Sequence, residues 1–408
     1  MTLVATVRPF RGVTFDATRI PDFADVTCPP YDVISDAQRD ELYDRHPYNV
    51  VRIVSGRDEP RDGPEDNRYT RACGFFRSWL WEGVLHEDTE PALYVYRQSF
   101  ADPRGRTRRV WGLLATIGLD DEILAHEKTM SGPKEDRLQL MRALPANVSP
   151  IYALYREDGG DVSSALPEQT AEAHVADFVD DDGTRHTVWA SHNVAFHEKV
   201  ASALAASPLF IADGHHRFET AKTYRDERRG TRGSGPWDHT MALLVDAGAE
   251  PVLILPYHRV VRSPLSGDPL RVLAERFEIS AAPGSIEELA DALWDAPPSA
   301  FVYIAPDGRY RLEAREPSDD IPAGILADLA LEPLGAADAE QDLSFTPVAS
   351  EVADAVADGS ASAGFLIPPT DVERVWAHAT ARGKMPAKST YFFPKPRDGI
   401  VIRALEPC

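Results

Sequence analysis

Three cysteines in 408 residues, Cys28, Cys73 and Cys408, are too few and too scattered for a disulfide framework or a paired CxxC zinc site. They read as structural or incidental. No apolar run approaches the ~20 residues that cross a bilayer, and the start MTLVATVRPFRG carries no signal-like stretch, so neither export nor membrane insertion is expected. The expectation is a cytoplasmic protein. An excess of positive charge is missing too: 43 Lys and Arg face 65 Asp and Glu, a net charge of −22 distributed along the chain. Nucleic acid is therefore disfavoured as a partner, although a local basic pocket for a small anion stays open. Internal repeats, heptads and long low-complexity tracts are also lacking.

What is present is enough apolar material, 43% of residues, for a sizeable core in a chain long enough for two or three domains. Ser35 is placed to cap a helix over DAQRDELYDRH, and YTRACGFFRSWLWEG spaces Ala72, Phe75, Phe76, Trp79 and Leu80 as one helical face ended by Gly83. PALYVYRQSF and TRRVWGLLATIGL predict a hairpin, as does AFVYIAPDGRYRLEAR with its turn at Asp307 and Gly308. HTMALLVDAG and EPVLILPYHRVV predict two strands joined by a turn. Hairpins with interspersed helices point to α+β with mixed sheets rather than a doubly wound parallel fold. A boundary is expected near residue 200, giving α+β domains over 1–200 and 201–408, with the alternative that the last block folds back onto the first.

FIADGHHRFETA, residues 210–221, ends a short apolar run and precedes a helical pattern. A strand, a glycine turn and a helix start leave backbone N–H groups and the positive end of the helix dipole at one spot, which suits an anion. His215, His216 and Arg217 add donors there, Arg217 in a bidentate fork, and a histidine can move a proton near neutral pH. Asp213 then binds Mg²⁺ or orients a hydroxyl nucleophile. The alternative is that Asp213 merely caps the helix and the histidines are exposed polar residues. Zinc fits less well, because adjacent helical histidines point in different directions and no HExxH or Cys-rich partner accompanies them.

Companion stretches carry the remaining candidates. CPPYDVIS holds Tyr31 and Asp32 behind two stiffening prolines. HEKTMSGPKEDR gathers His126, Glu127, Lys128, Thr129, Lys134, Asp136 and Arg137. KMPAKSTYFFPK sets Lys384, Lys388, Ser389, Thr390, Tyr391 and Lys395 in an otherwise acidic chain, a cluster fit for phosphate or carboxylate. Each also has a plainer reading, as a turn, a solvated loop and a lysine-protected edge strand respectively. His258 and Arg259 in LPYHRVV read as structural.

Taken in order, PPYDVIS, HPYNVVRI, HEKTMSGPKEDRL, NVSPIYALY, IADGHHRFETA, LPYHRVV and MPAKSTYFFPK resemble the DUF1015 family of bacterial and archaeal proteins, over nearly the whole chain. That name establishes no activity. More narrowly, ADGHHR at a helix start looks like the corresponding turn of the ParB and sulfiredoxin-like superfamily, in particular its free serine kinases, which phosphorylate the hydroxyl of L-serine. The resemblance implies that Asp213, Gly214, His215, His216 and Arg217 handle the phosphates of ATP or ADP with Mg²⁺, and it admits a homodimer. The kinases' catalytic carboxylate has no motif to align, so Glu127 and Asp32 are chosen for that role on chemistry. Lys134, Lys388, Ser389 and Thr390 are chosen as cofactor contacts on the same ground.

Four functions follow for comparison. The first is a kinase-like enzyme that phosphorylates a small hydroxylated metabolite, serine or a related amino acid among them. A variant uses water as acceptor and is a phosphate-ester hydrolase. A nucleotide-binding, slowly hydrolysing switch is the second class, and a non-catalytic structural protein the third.

Overall fold

Alternation of apolar and polar residues in LYVYRQSFA and TRRVWGLLATIG places alternate side chains on opposite faces of a strand. In the computed structural model these segments pair antiparallel as Leu93–Ala101 and Thr107–Gly118, in register from Tyr94 opposite Leu114 to Ala101 opposite Thr107. The structure describes residues 5–406 apart from 122, 126–130, 158, 317, 319, 340, 382, 384 and 387. Its chain divides into two units: residues 1–124, 129–251 and 394–408 form the first, residues 125–128 and 252–393 the second.

The main sheet of the first unit takes the strands, in spatial order, Phe210–Asp213, Ile151–Tyr155, His239–Asp246, Thr107–Gly118, Leu93–Ala101, Arg185–Ser191 and Ala176–Val179. His239–Asp246 runs parallel to Ile151–Tyr155 while its other neighbour is antiparallel, so the sheet is mixed. Val95, Leu113, Ala115, Ile117, Ala153 and Ile211 share one buried face with Val200 and Leu204 of the Val194–Leu204 helix. That layering secures the α+β class, and it buries the strand that leads into the DGHHR turn.

Local caps are where the sequence puts them. Ser35 Oγ accepts from the Gln38 amide while the Gln38 side chain accepts from the Ser35 amide, a reciprocal capping box at the start of Asp36–Arg45. Arg68–Trp81 buries Ala72, Phe76 and Trp79 and is followed by Gly83 at φ +70°.

The second unit is built on a six-stranded antiparallel sheet in the order Phe277–Ala281, Gly308–Ala314, Ala300–Ala305, Ala363–Leu366, His258–Val261 and Leu343–Thr346. Phe301 and Tyr303 face one core and Val302 and Ile304 the other, as period-two alternation requires. Its predicted hairpin closes with Ala305 opposite Gly308.

Two expectations change. The boundary near 200 falls inside the first unit; the chain crosses after Pro251, and residues from Pro394 onward belong to the first unit again. The cause is non-local pairing, with Cys28 bridging Asp398 and Arg403 opposite Asn147. EPVLILPYHRVV, read as one strand, is broken into two. Leu253–Leu255 pairs with Tyr391–Phe393, and His258–Val261 joins the second sheet after the break at Pro256. No described helix is long and apolar enough to cross a membrane.

Candidate functional site

The Phe210–Asp213 strand has its first three residues buried, and its register against Ile151–Tyr155 shifts between Ile211 and Asp213. Such an irregularity bends the strand end and re-aims its last side chain. Gly214 follows at φ +92°, ψ 27°, a left-handed conformation that costs an L-residue about 1–2 kcal/mol. A Cβ there would also stand 3.0 Å from Arg217 Nε. The 18-residue helix His215–Arg232 begins at once, with no side-chain cap and no acidic residue in its first turn.

The first turn of that helix takes part in a compact charge cluster. Asp213 Oδ2 accepts from Arg217 Nη2 at 2.7 Å and Asp213 Oδ1 accepts from Lys395 Nζ at 2.7 Å. The Arg217, Asp213 and Lys395 side chains are 10%, 18% and 6% exposed, which withdraws most of the cluster from screening water. Arg217 Nη1 also donates to the Pro150 carbonyl at 2.5 Å. Burial works against the Arg217 charge, but Asp213, Asp398, Asp32 and Tyr31 outweigh it and hold the guanidinium above its ordinary value.

His215 is buried, and desolvation pushes its pKa down to about 4; Asp213 opposes this while His216, Arg217 and Lys395 reinforce it. It is neutral at physiological pH. His216, next in the helix, is half-buried.

Lys395 arrives on the returning segment PKPRDG, which belongs to the first unit. Gln98 Nε2 donates to the Lys395 carbonyl at 3.2 Å, and Arg397 Nη2 donates to the Thr27 carbonyl at 3.3 Å. Behind Arg397, Tyr96 Oη lies 2.6 Å from His186 Nδ1, and His186 Nε2 lies 2.9 Å from Asp180 Oδ2. The segment is thus fixed by buried polar partners at several points.

Asp398, on the same segment, is fully buried. Ser149 Oγ donates to its Oδ2 at 2.5 Å, whereas Oδ1 has no hydrogen-bond partner among the described residues. Burial raises its pKa to about 7 and Asp32 adds to the rise, while Arg217, the Ser149 hydroxyl and Arg137 pull it back. Its charge is therefore conditional on pH, and it acts on the same guanidinium that Asp213 grips.

The sequence candidates separate accordingly. Asp213, Gly214, His215, His216 and Arg217 are together at the turn. Asp32 is exposed in the short Tyr31–Val33 turn, close enough to act on Arg217 and Asp398. Lys134 lies on the Ser131–Ala143 helix, where its carbonyl accepts from Thr220 Oγ1 at 3.4 Å. Glu127, with His126, Lys128, Thr129 and Lys384, lies outside the described residues. Lys388, Ser389 and Thr390 belong to the second unit. There Lys388 Nζ stands 5.5 Å from the Tyr257 ring centroid, and Ser389 Oγ donates to the Pro386 carbonyl at 2.6 Å. From the KMPAKSTYFFPK stretch, Lys395 reaches Asp213.

Asp213 is already engaged by two cations, so a metal ion on it competes with Arg217 and Lys395. Among the described residues no group of three or more His, Cys, Asp or Glu is placed to hold a metal ion. Asp398, Ser149 and Arg397 were not singled out from the sequence. The available signal was an Arg-Asp-Gly step between prolines and the apolar IVI run, in a chain whose other arginines sit mostly in polar stretches.

No curated protein matches the sequence. Among solved structures, a free serine kinase in complex with AMP is similar at 12% identity and a TM-score of 0.37, over 70% of this chain and 92% of that one. A conserved hypothetical protein from Pyrococcus furiosus is similar at 14% identity and a TM-score of 0.38, over 71% of this chain and 95% of that one. A C-terminally truncated SbnI from Staphylococcus aureus is similar at 11% identity and a TM-score of 0.35, over 70% of this chain and 87% of that one. The family model described as "Protein of unknown function (DUF1015)" matches residues 7–338, and the chain, from its first sheet strand to well inside the second unit, belongs to that family.

Proposed function

We propose that the Gly214 turn holds the phosphates of a nucleotide, ATP or ADP, and that the protein is a kinase-like phosphotransferase acting on a small hydroxylated metabolite. The observation that carries this reading is the uncapped, acid-free start of a long helix whose first turn carries Arg217, joined through Asp213 to Lys395, both cations largely withdrawn from water. First-turn amides lack intrahelical acceptors and face the positive end of the helix dipole, so an anion is the natural complement.

In this reading the chain positions and neutralises; it forms no covalent intermediate. The amides after Gly214 hold phosphate oxygens, Arg217 and Lys395 balance their charge, and Lys134 adds a cation from the neighbouring helix. Asp213 keeps the two basic side chains apart and aimed. Magnesium enters with the phosphates, as is common for this ion, rather than in a protein cage. Asp32, exposed beside the cluster, accepts the proton of the attacking hydroxyl as the bond from the terminal phosphorus to its bridging oxygen breaks. His216 donates to a phosphoryl oxygen.

The test is incubation with ATP or ADP, Mg²⁺ and a panel of hydroxy acids and hydroxy amino acids, with ³¹P NMR detection of a new phosphate ester. Ester formation that falls by about 100-fold or more in Arg217→Gln supports the reading. Nucleotide that stays unconsumed with every acceptor, or consumption equal in Arg217→Gln, contradicts it.

A further inference from the structure

The HPYNVVRI block, so far without a role, leads into a small polar cavity in the first unit. Val51–Val54 forms a single helical turn, and Ser55 and Gly56 after it line a space of about 120 Å³ together with Arg68 and Tyr69 from the start of Arg68–Trp81 and Asp136 and Arg137 from Ser131–Ala143. Tyr31 completes the wall, with the Arg137 guanidinium 4.0 Å above its ring centroid. At this size the cavity is well below the roughly 300 Å³ at which drug-sized ligands begin to fit. Only a compound of a few heavy atoms enters.

Its charges do not balance internally. Asp136 is shared: Oδ1 accepts from Arg68 Nη2 at 2.6 Å and from Tyr69 Oη at 2.8 Å, and Oδ2 accepts from Arg137 Nε at 2.8 Å. Two guanidiniums thus meet one carboxylate, and the other partner of Arg68, Asp58, is a 73%-exposed surface group at 3.1 Å. Arg137 also donates through Nη1 to the Val54 carbonyl at 2.6 Å and through Nη2 to Asp136 at 2.5 Å. An arginine has five N–H donors, so one on each terminal nitrogen of Arg137 is left without an acceptor among the described residues. The Ser55 hydroxyl likewise makes no hydrogen bond among the described residues and lines the same space. A planar guanidinium that is 12% exposed, presenting two N–H groups beside a hydroxyl donor, matches one planar anion.

We infer that this cavity is a binding site for the carboxylate of a small organic acid, held by Arg137 and Ser55 with Arg68 adding charge. Tyr31 joins it to the phosphate cluster: the phenol feels both Arg137 and Arg217, and Asp32 is the next residue along the turn. The cavity is therefore the acceptor pocket, and the acceptor is a hydroxy acid. The role as acceptor pocket rests on the phosphotransfer reading, whereas the ligand chemistry does not.

Binding is measured by calorimetry on the full chain without nucleotide, using acetate, glycolate, lactate and glycerate, with inorganic phosphate and the corresponding amides as controls. The expected result is binding of a small carboxylate but not of its amide or of phosphate. Arg137→Lys, which keeps the charge and loses the fork, weakens binding by about tenfold; Ser55→Leu, which fills the space, abolishes it at an unchanged melting temperature. Carboxylate binding that survives in both variants overturns the inference, as does no binding of any of the four acids at about 10 mM or preference for phosphate. If Arg137→Lys does not fold, Ser55→Leu alone decides. Carboxylate binding in a protein that never consumes nucleotide leaves this site standing and removes phosphotransfer; nucleotide consumption without carboxylate binding does the reverse.

Discussion

Lys395 Nζ donates to Asp213 Oδ1 at 2.7 Å, joining the end of a sheet strand to a segment 182 residues further along the chain. Because Arg217 takes the other oxygen of the same carboxylate, Asp213 is the hub of a largely buried three-charge cluster. The first expected outcome follows from that geometry. Asp213→Asn strands two largely buried cations against each other, and breaking a buried pair in this way costs on the order of 3 kcal/mol. The variant melts several degrees lower in thermal denaturation. Adding Lys395→Met removes one of the stranded charges and recovers part of the loss, a coupling that a double-mutant cycle measures.

Gly214→Ala forces a Cβ into the left-handed region and against the Arg217 guanidinium. The conformational part alone is about 1–2 kcal/mol. Chemical denaturation reads that loss, and any phosphate-compound binding weakens with it because Arg217 is displaced.

Asp398 makes stability depend on pH in a definite direction. Its pKa in the folded protein is about 7 against an ordinary value of 3.8, so between these limits the native state holds a proton that the unfolded chain releases. The unfolded state then binds fewer protons, and stability falls as pH rises through that window. Asp398→Asn cannot ionise. Relative to the wild type it therefore gains stability from pH 5 to pH 8, and a constant difference in melting temperature across that range refutes the assignment.

His216→Ala tests the division of labour between the two histidines. His216 is half-buried, so its truncation leaves the melting temperature nearly unchanged while lowering phosphoryl transfer. His215→Ala removes a buried ring and lowers stability instead, with no loss of a titrating group above about pH 4.

The parts of the fold that are local were legible in the sequence. Ser35 with Gln38, the Asp307–Gly308 hairpin and the strand, glycine and helix of FIADGHHRFETA are each specified by a few neighbouring residues. The unit boundary was not, because it is set by pairing between distant segments: Cys28 meets Asp398 and Asn147 meets Arg403, and no local pattern marks either. The same holds for the site. Arg217 announces itself at a helix start, whereas Asp398 looks like an ordinary Arg-Asp-Gly turn until burial and the Arg217 field give it its character. Lys395 stood out only as one cation among several in KMPAKSTYFFPK, and which of them reaches Asp213 depends on where the chain crosses back.

Thermal denaturation of the wild type and Gly214→Ala with ATP, ADP, AMP, pyrophosphate and inorganic phosphate, each with and without Mg²⁺, tests the central claim most directly. A ligand bound only to the native state at about 100 times its dissociation constant adds about 2.7 kcal/mol. The account predicts a raised midpoint with at least one nucleotide in the wild type and a smaller rise, or none, in Gly214→Ala. No shift with any phosphate compound, or the same shift in both proteins, contradicts a phosphate-holding turn.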